Sequence, residues 1–249
     1  MKISIITVSF NNESTIKDTI LSVNSQSFQN IEHIFIDGKS KDETVRLIQK
    51  FSKPGSKIIS EPDNGIYDAM NKGIHQATGD VIGFLNADDV FFNEQSLQII
   101  ADEFTRTGTD SVYGNLIYMD SNLQKIIRFW KSQKFQKGLF LKGWMPAHPT
   151  FYVKKSVYDK WGGFDLNYRF AADFEITMRF LESKNISSSF IPKVLVKMRL
   201  GGVSNNKISN ILKSNLESYR ACKKNNLNPG IFFIPKKIFS RIPQFFKKS

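Results

Sequence analysis

The chain is poor in the residues that build disulfide frameworks and soft-metal sites. Its 249 residues include one cysteine, Cys222, which excludes an internal disulfide and a thiolate-ligated metal cluster. The three histidines, His33, His75 and His148, are too scattered for a zinc-ligand spacing. No apolar run reaches the ~18 residues a spanning helix needs, so none is expected. The N-terminus opens on a strand pattern without a signal-peptide layout, so this end is expected in the cytoplasm. Neither common glycine-rich phosphate loop occurs, so any nucleotide is held by other means. Acids are scarce: 23 Asp and Glu stand against 35 Lys and Arg, a net charge of +12. Residues 206–249 hold ten of those bases and one acid, Glu217, leaving the body near neutral at +3. A basic tail faces nucleic acid, anionic lipid or only solvent.

What is present is a regular alternation. Apolar runs at residues 2–8, 31–36, 57–60 and 81–85 read as strands. Helical patterns at about 13–25, 44–51, 66–76 and 95–107 follow them, the first with Asn12 as a fair N-cap. Short loops between them predict an α/β fold with a mostly parallel, doubly wound sheet and helices on both faces. Ligands bind such sheets at the carboxyl ends of the strands. Those ends carry Thr7 to Asn12, Asp37 to Ser40, Glu61 to Gly65 and Asn86 to Asp89. Beyond residue 107 the pattern predicts a hairpin at 111–130, a strand at 151–154, helices at 156–161 and 172–182, and a strand at 188–199. Residues 1–205 read as one domain, and 206–249 as an amphipathic helix and a basic, aromatic tail.

The stretch from Val81 to Asp89 organises the reading. A buried apolar strand stops at Asn86-Ala87-Asp88-Asp89. Two adjacent carboxylates at the tip of such a strand call for a positive partner, and a divalent cation on oxygen ligands is one. A helix cap and a solvated side chain are the other reading of the pair.

Six motifs then occur in order: Thr7-Val8-Ser9-Phe10-Asn11, Asp37-Gly38-Lys39-Ser40 with Lys41 to Thr44, Glu61 to Gly73, Leu85 to Asp89, Gly162-Gly163-Phe164-Asp165 and Ala172-Asp173-Phe174-Glu175. Together they resemble glycosyltransferase family 2, inverting nucleotide-sugar enzymes of GT-A fold, over residues 2–205, and most closely the bacterial members that build surface polysaccharides. The resemblance implies that Thr7, Ser9 and Asn11 line the nucleoside and that Asp37 accepts from a base N–H, which suits uracil. It implies that Asp63, Asn64 and Asn71 line the sugar–phosphate path and that the Asn86-Ala87-Asp88 turn meets the donor. The family's metal motif is usually Asp-x-Asp. Here Asn86 takes the first place, leaving Asp88 and Asp89 to position Mg²⁺ or Mn²⁺ on a diphosphate.

The implied reaction is attack by an acceptor hydroxyl on the anomeric carbon of a UDP-sugar. It needs a cation on the leaving group and a base for the hydroxyl. By the family pattern the base is Asp173, a residue whose position also suits an N-cap. Trp144, His148 and Glu175 are placed with the acceptor, a saccharide or lipid-linked saccharide, His148 serving either to orient a group or to brace a turn. Arg179 and Arg199 are candidates for the diphosphate, and residues 201–204 for a closing loop.

In the tail, Ile208, Ile211, Leu212, Leu216 and Tyr219 share one helical face expected to pack on the domain. Residues 231–249 interleave five phenylalanines with five bases, the makeup of an interfacial anchor on anionic lipid at the inner membrane face. Pro235 and Pro243 exclude one long helix there. The alternatives are a sugar-nucleotide nucleotidyltransferase and a nucleic-acid-binding protein. The first lacks its usual glycine-rich loop. The second is disfavoured by acids along the ligand edge, so no nucleic acid is expected.

Overall fold

Strand β1 (Ile3–Ser9) is buried along its whole length, and the sheet grows outward from it. The computed structural model describes residues 1–200 and 208–239. The expected closing loop 201–204, the 205/206 boundary, Lys207 and the basic and aromatic positions beyond residue 239 lie outside the described residues.

Side chains alternate across β1 and meet apolar partners on both faces. Ile6 and Val8 join one core with Ala69, Met70 and Ile74, while Ile3 and Ile5 join another with Leu97, Ile100 and Phe104. Burial on both faces is what selects a layered α/β arrangement. The first half follows the expected alternation: α1 (Ile16–Asn24), β2 (Ile31–Asp37), α2 (Thr44–Phe51), β3 (Lys57–Ser60), α3 (Ile66–Gln76) and β4 (Val81–Phe84). Strands β3-β2-β1-β4 are parallel neighbours in that order.

The second half is mixed. Its elements are β5 (Val90–Phe91), α4 (Ser96–Thr107), β6 (Ser111–Met119), β7 (Ile126–Trp130), β8 (Tyr152–Lys154), α5 (Lys155–Trp161), α6 (Ala172–Met178) and β9 (Ser188–Arg199). Strand β8 runs antiparallel between β4 and β6, and β9 lies parallel to β6. Two-residue β5, too short to read in sequence, pairs antiparallel with β9. That pairing ties the chain just after Asp89 to the strand carrying Arg199.

Three local expectations need correction. Helix α1 starts at Ile16 because the Asn12 side chain turns back to accept the Phe10 N–H at 2.8 Å, while its carbonyl takes Thr15 and Ile16. The α6 helix gives way to a π turn at Arg179–Ser183. Helix α7 (Ile208–Lys224) docks by only part of its apolar stripe: Tyr219 packs against the core, but Ile211, Leu212 and Leu216 are 39%, 55% and 51% exposed. Its buried face is Asn215, Ser218, Ala221 and Cys222, small or polar residues that allow close approach to α6. Helix α8 (Phe233–Phe239) accommodates Pro235 in its first turn, where no intrahelical N–H is needed. Part of the expected anchor is therefore core: Phe233 packs on Phe174 and Tyr219, and Lys237 is buried with its ammonium 4.4 Å from the Phe174 ring centre. Among the described residues no helix is long and apolar enough to cross a membrane.

Candidate active site

The carboxyl ends of β1, β2 and β3 meet at Asp37. Its side chain is fully buried and accepts from the Ser9 hydroxyl at 3.0 Å, the Ser40 amide at 2.9 Å, the Ser60 hydroxyl at 2.7 Å and the Ser40 hydroxyl. A carboxylate has about four acceptor positions, and all are used. Asp37 thus knots three strand ends, and a ligand base reaches it only by displacing a hydroxyl. Thr7, expected beside the nucleoside, is instead buried under the sheet, 2.9 Å from His33 Nε2. Burial holds that imidazole down at about 3.

The mouth above this knot is made by two turns. Asn11, at φ 54°, accepts the Lys41 N–H at 2.9 Å and donates its own N–H to Ser40. Asparagine tolerates that left-handed conformation better than most residues. Asp63 accepts the Gly65 N–H at 2.8 Å, and Asn64 is exposed. A Cβ on Gly38 would lie 2.5 Å from an Asp63 oxygen, so a side chain there would push the Asp63 carboxylate aside. Phe10, 59% exposed, stands at the rim. Sequence reasoning assigned it no role; an exposed aromatic beside a polar strand end was the available signal.

The turn after β4 carries the acids. Asp89 is fully buried, and neither of its carboxylate oxygens has a hydrogen-bond partner; Asn86 Oδ1 is likewise unpaired. Burial, then the adjacent Asp88, pushes the Asp89 carboxyl well above the ordinary range, and the nearby Arg199 charge only partly offsets this. Asp88 is half-buried and shifted up by burial as well. Arg199 does not reach outward to a diphosphate. It holds the turn from behind, donating to the Asp88 carbonyl at 3.2 Å and the Ser121 carbonyl at 3.0 Å while pairing with Asp18.

On the other side of β4 the ring of Phe84 stacks on His148, 5.5 Å between centres, and Phe164 meets both edge-on. Both His148 nitrogens are buried and unpaired. Burial lowers its basicity and the nearby Asp173 charge restores only part, so the imidazole is neutral. Tyr67 stacks on Phe164 at 5.4 Å and donates its hydroxyl to Asp173 Oδ1 at 3.3 Å. Phe164, which touches both His148 and the Tyr67 ring, thus links His148 to the Tyr67–Asp173 pair beside the Phe84 end of the strand that leads into Asp88 and Asp89.

Three other expected site residues have structural work. Both ends of the Asn71 amide are taken by Phe164: Nδ2 donates to its carbonyl at 2.9 Å and Oδ1 accepts its N–H at 2.8 Å. Trp144 does not offer a free face; it packs among Phe135, Phe140 and Tyr113. Glu175 is buried against Arg179 at 2.9 Å and Asn225 at 3.1 Å. Arg179 in turn grips the carbonyls of Trp161 and Gly163, which fixes the glycine loop and spends its donors.

The family model for glycosyl transferase family 2 matches residues 4–167. The chain belongs to that family. An uncharacterized glycosyltransferase of Mycobacterium tuberculosis is 34% identical over 180 residues, covering 71% of this chain and 68% of that protein. An Escherichia coli relative, the UDP-Glc:alpha-D-GlcNAc-diphosphoundecaprenol beta-1,3-glucosyltransferase WfgD, is 27% identical over 84% of this chain and 82% of its own length. Among solved structures, S. aureus TarS 1-349 with UDP-GlcNAc superposes with a TM-score of 0.68 at 16% identity, covering this whole chain and 74% of TarS. The mannosyltransferase PcManGT of Pyrobaculum calidifontis, with GDP-Man and Mn2+, gives 0.64 at 12% identity, covering all of this chain and 76% of its own. At these identities the likeness concerns the fold, which is GT-A. This family 2 protein is therefore a glycosyltransferase, and the nucleotidyltransferase reading falls away.

Proposed function

We propose that the chain is an inverting glycosyltransferase that moves a sugar from a UDP-sugar to an acceptor hydroxyl during assembly of a bacterial surface polysaccharide. The observation that carries this is the pairing at the end of β4: an unpaired buried acid turn on one side, and on the other Asp173 held by Tyr67, with His148 packed on the same Phe164 ring. WfgD is named for UDP-Glc as donor and a diphosphoundecaprenol-linked saccharide as acceptor, and TarS of like fold is solved with UDP-GlcNAc, which supports a UDP donor and a lipid-linked acceptor.

The acid turn fits a hard divalent cation, Mg²⁺ or Mn²⁺. Two orphaned Asp89 oxygens and Asn86 Oδ1 are acceptors in need of a positive partner. Among the described residues no three His, Cys, Asp or Glu side chains form a complete ligand set, as suits a cation shared with substrate phosphates. Asp88 and Asp89 would hold it, and it would supply charge neutralisation for the leaving diphosphate. Ser9, Asn11, Asp63 and Asn64 surround the nucleoside and diphosphate, and the exposed Phe10 ring offers a stacking face for the base. Asp173 takes the proton from the acceptor hydroxyl. His148, neutral and unpaired, orients that hydroxyl with one ring nitrogen. The stacked Phe84, Phe164 and Tyr67 rings exclude water from that side.

Contact with anionic lipid at the inner membrane face belongs to the same proposal. Ile231, Phe232 and Phe239 are 84%, 63% and 65% exposed beside Lys236, a pattern suited to an interface.

Calorimetric titration of UDP and GDP, with and without Mn²⁺, tests the donor side. Metal-dependent UDP binding is expected, and it should disappear in Asp88→Ala/Asp89→Ala. Equal UDP binding by that variant would overturn the metal assignment.

A further inference from the structure

Helix α6 begins without a capping side chain of its own. The backbone N–H groups just ahead of it are satisfied from a distant part of the chain. Glu217 of α7 accepts Phe170 N–H at 2.7 Å, Ala171 N–H at 3.0 Å and Arg169 N–H at 3.2 Å. One carboxylate thus takes three successive amides and sits at the positive end of the helix that carries Asp173 in its first turn.

Helix α7 is bound to the same region at two further points. Lys224 pairs with Asp165 of the glycine loop at 2.5 Å, and Asn225 donates to Glu175 at 3.1 Å. The Asp173 side chain is held independently. Its Oδ1 accepts from the Tyr67 hydroxyl and, at 2.8 Å, from the Phe174 N–H, while Oδ2 has no donor among the described residues. Burial and the charges of Asp173 and Glu217 raise the Tyr67 phenol well above its usual value, so it stays a donor at any working pH.

We propose that Glu217 and Tyr67 are positioning residues that set Asp173, Glu217 through the backbone ahead of α6 and Tyr67 through Oδ1, leaving Oδ2 for the acceptor hydroxyl. The proposal rests on Asp173 being the base. It makes α7, which lies beyond the stretch matched by the family model, part of the catalytic apparatus. A tail that only tethered the enzyme would have no carboxylate on these amides.

The test uses the full chain with Glu217→Ala and Tyr67→Phe, each alone and with Asp173→Asn. Three quantities are read: amide exchange at residues 169–175, UDP affinity with Mn²⁺, and UDP release from UDP-glucose and UDP-N-acetylglucosamine with water as acceptor. Glu217→Ala should speed exchange at 169–171 by about tenfold or more, while UDP affinity stays within about twofold. Turnover should fall about tenfold to hundredfold in each single variant, through kcat with donor KM little changed. In the Asp173→Asn background neither change should lower turnover further, because both act through Asp173. Unchanged exchange at 169–171, or UDP affinity falling in step with turnover, would overturn the proposal. So would equal losses in both backgrounds. Should Glu217→Ala not fold, Tyr67→Phe, which removes one oxygen, carries the turnover arm. Full turnover by Asp173→Asn alone would instead sink the assignment of the base, leaving the exchange result to report on Glu217.

Discussion

Replacing Asn71 by alanine separates two roles that its place in the sequence leaves confounded. If Asn71 lines the sugar–phosphate path, Asn71→Ala weakens donor binding and leaves stability alone. The structure argues for the reverse. The side-chain amide forms two hydrogen bonds, at 2.9 and 2.8 Å, to the carbonyl and N–H of one residue, Phe164. Phe164 is 4% exposed, so water replaces neither partner easily. A net hydrogen bond contributes about 1 kcal/mol, and a buried group left unpaired costs about 1–3 kcal/mol. Partial access of solvent on the Asn71 side lowers the sum, and the expected loss is about 2–4 kcal/mol. Asn71→Asp should cost at least as much, because it keeps the acceptor but turns an oxygen toward the Phe164 carbonyl. Urea unfolding of the three proteins, with slopes compared to confirm a common unfolded state, gives the number. UDP titration with Mn²⁺ on the same samples gives the other arm, expected within about twofold of wild type. A destabilisation below about 0.5 kcal/mol together with a tenfold loss of UDP affinity would refute the reasoning and return Asn71 to the donor.

Two further outcomes follow from other parts of the molecule. Burial pushes the Glu32 carboxyl up, but hydrogen bonds from Ser4, Thr78 and Lys57 more than offset it, leaving Glu32 well below the usual carboxylate range. Its contribution is therefore present above the unfolded value of about 4.3 and is lost as pH falls below it. Glu32→Gln should cost about 2 kcal/mol at pH 7, discounted because Lys2 and Lys57 are over a third exposed, and should flatten the acid limb of stability against pH; an acid limb identical to wild type would contradict this. Phe232→Ser/Phe239→Ser should reduce co-sedimentation with phosphatidylglycerol vesicles while leaving UDP affinity unchanged. Undiminished vesicle binding would remove α8 from the membrane proposal.

The first half of the fold was legible because its signals are local. Four apolar runs with period-matched helices between them leave a parallel α/β layer as the simplest way to bury both faces of β1, and α3 spans the expected residues 66–76. Asp88 and Asp89 were legible for the same reason: a carboxylate pair at the end of an apolar strand is anomalous wherever the strand goes. The mixed half was harder, since a two-residue strand such as β5 has no periodicity and exists only through its pairing with β9.

Which polar side chain faces a ligand and which braces the protein depends on where its partners come from. Asn71 and Phe164 are 93 positions apart, Tyr67 and Asp173 106, and Arg169 and Glu217 48. No periodicity or motif spacing links residues at those separations, so Asn71, Glu175 and Arg179 looked like ligand contacts while Tyr67 and Glu217 carried no signal. Helix α7 makes the same point from the apolar side. Its hydrophobic stripe predicted the docking face, but polar anchors at Glu217, Lys224 and Asn225 rotate Asn215, Ser218, Ala221 and Cys222 inward. The sequence by itself determined the layers of the fold, the family and the acid turn, because burial pattern and residue type are properties of the chain. The tertiary structure alone decided which donors saturate Asp37, which amides Glu217 takes and which oxygen of Asp173 is held by Tyr67 and Phe174, because a hydrogen bond depends on atoms within about 3 Å however far apart they lie in the chain.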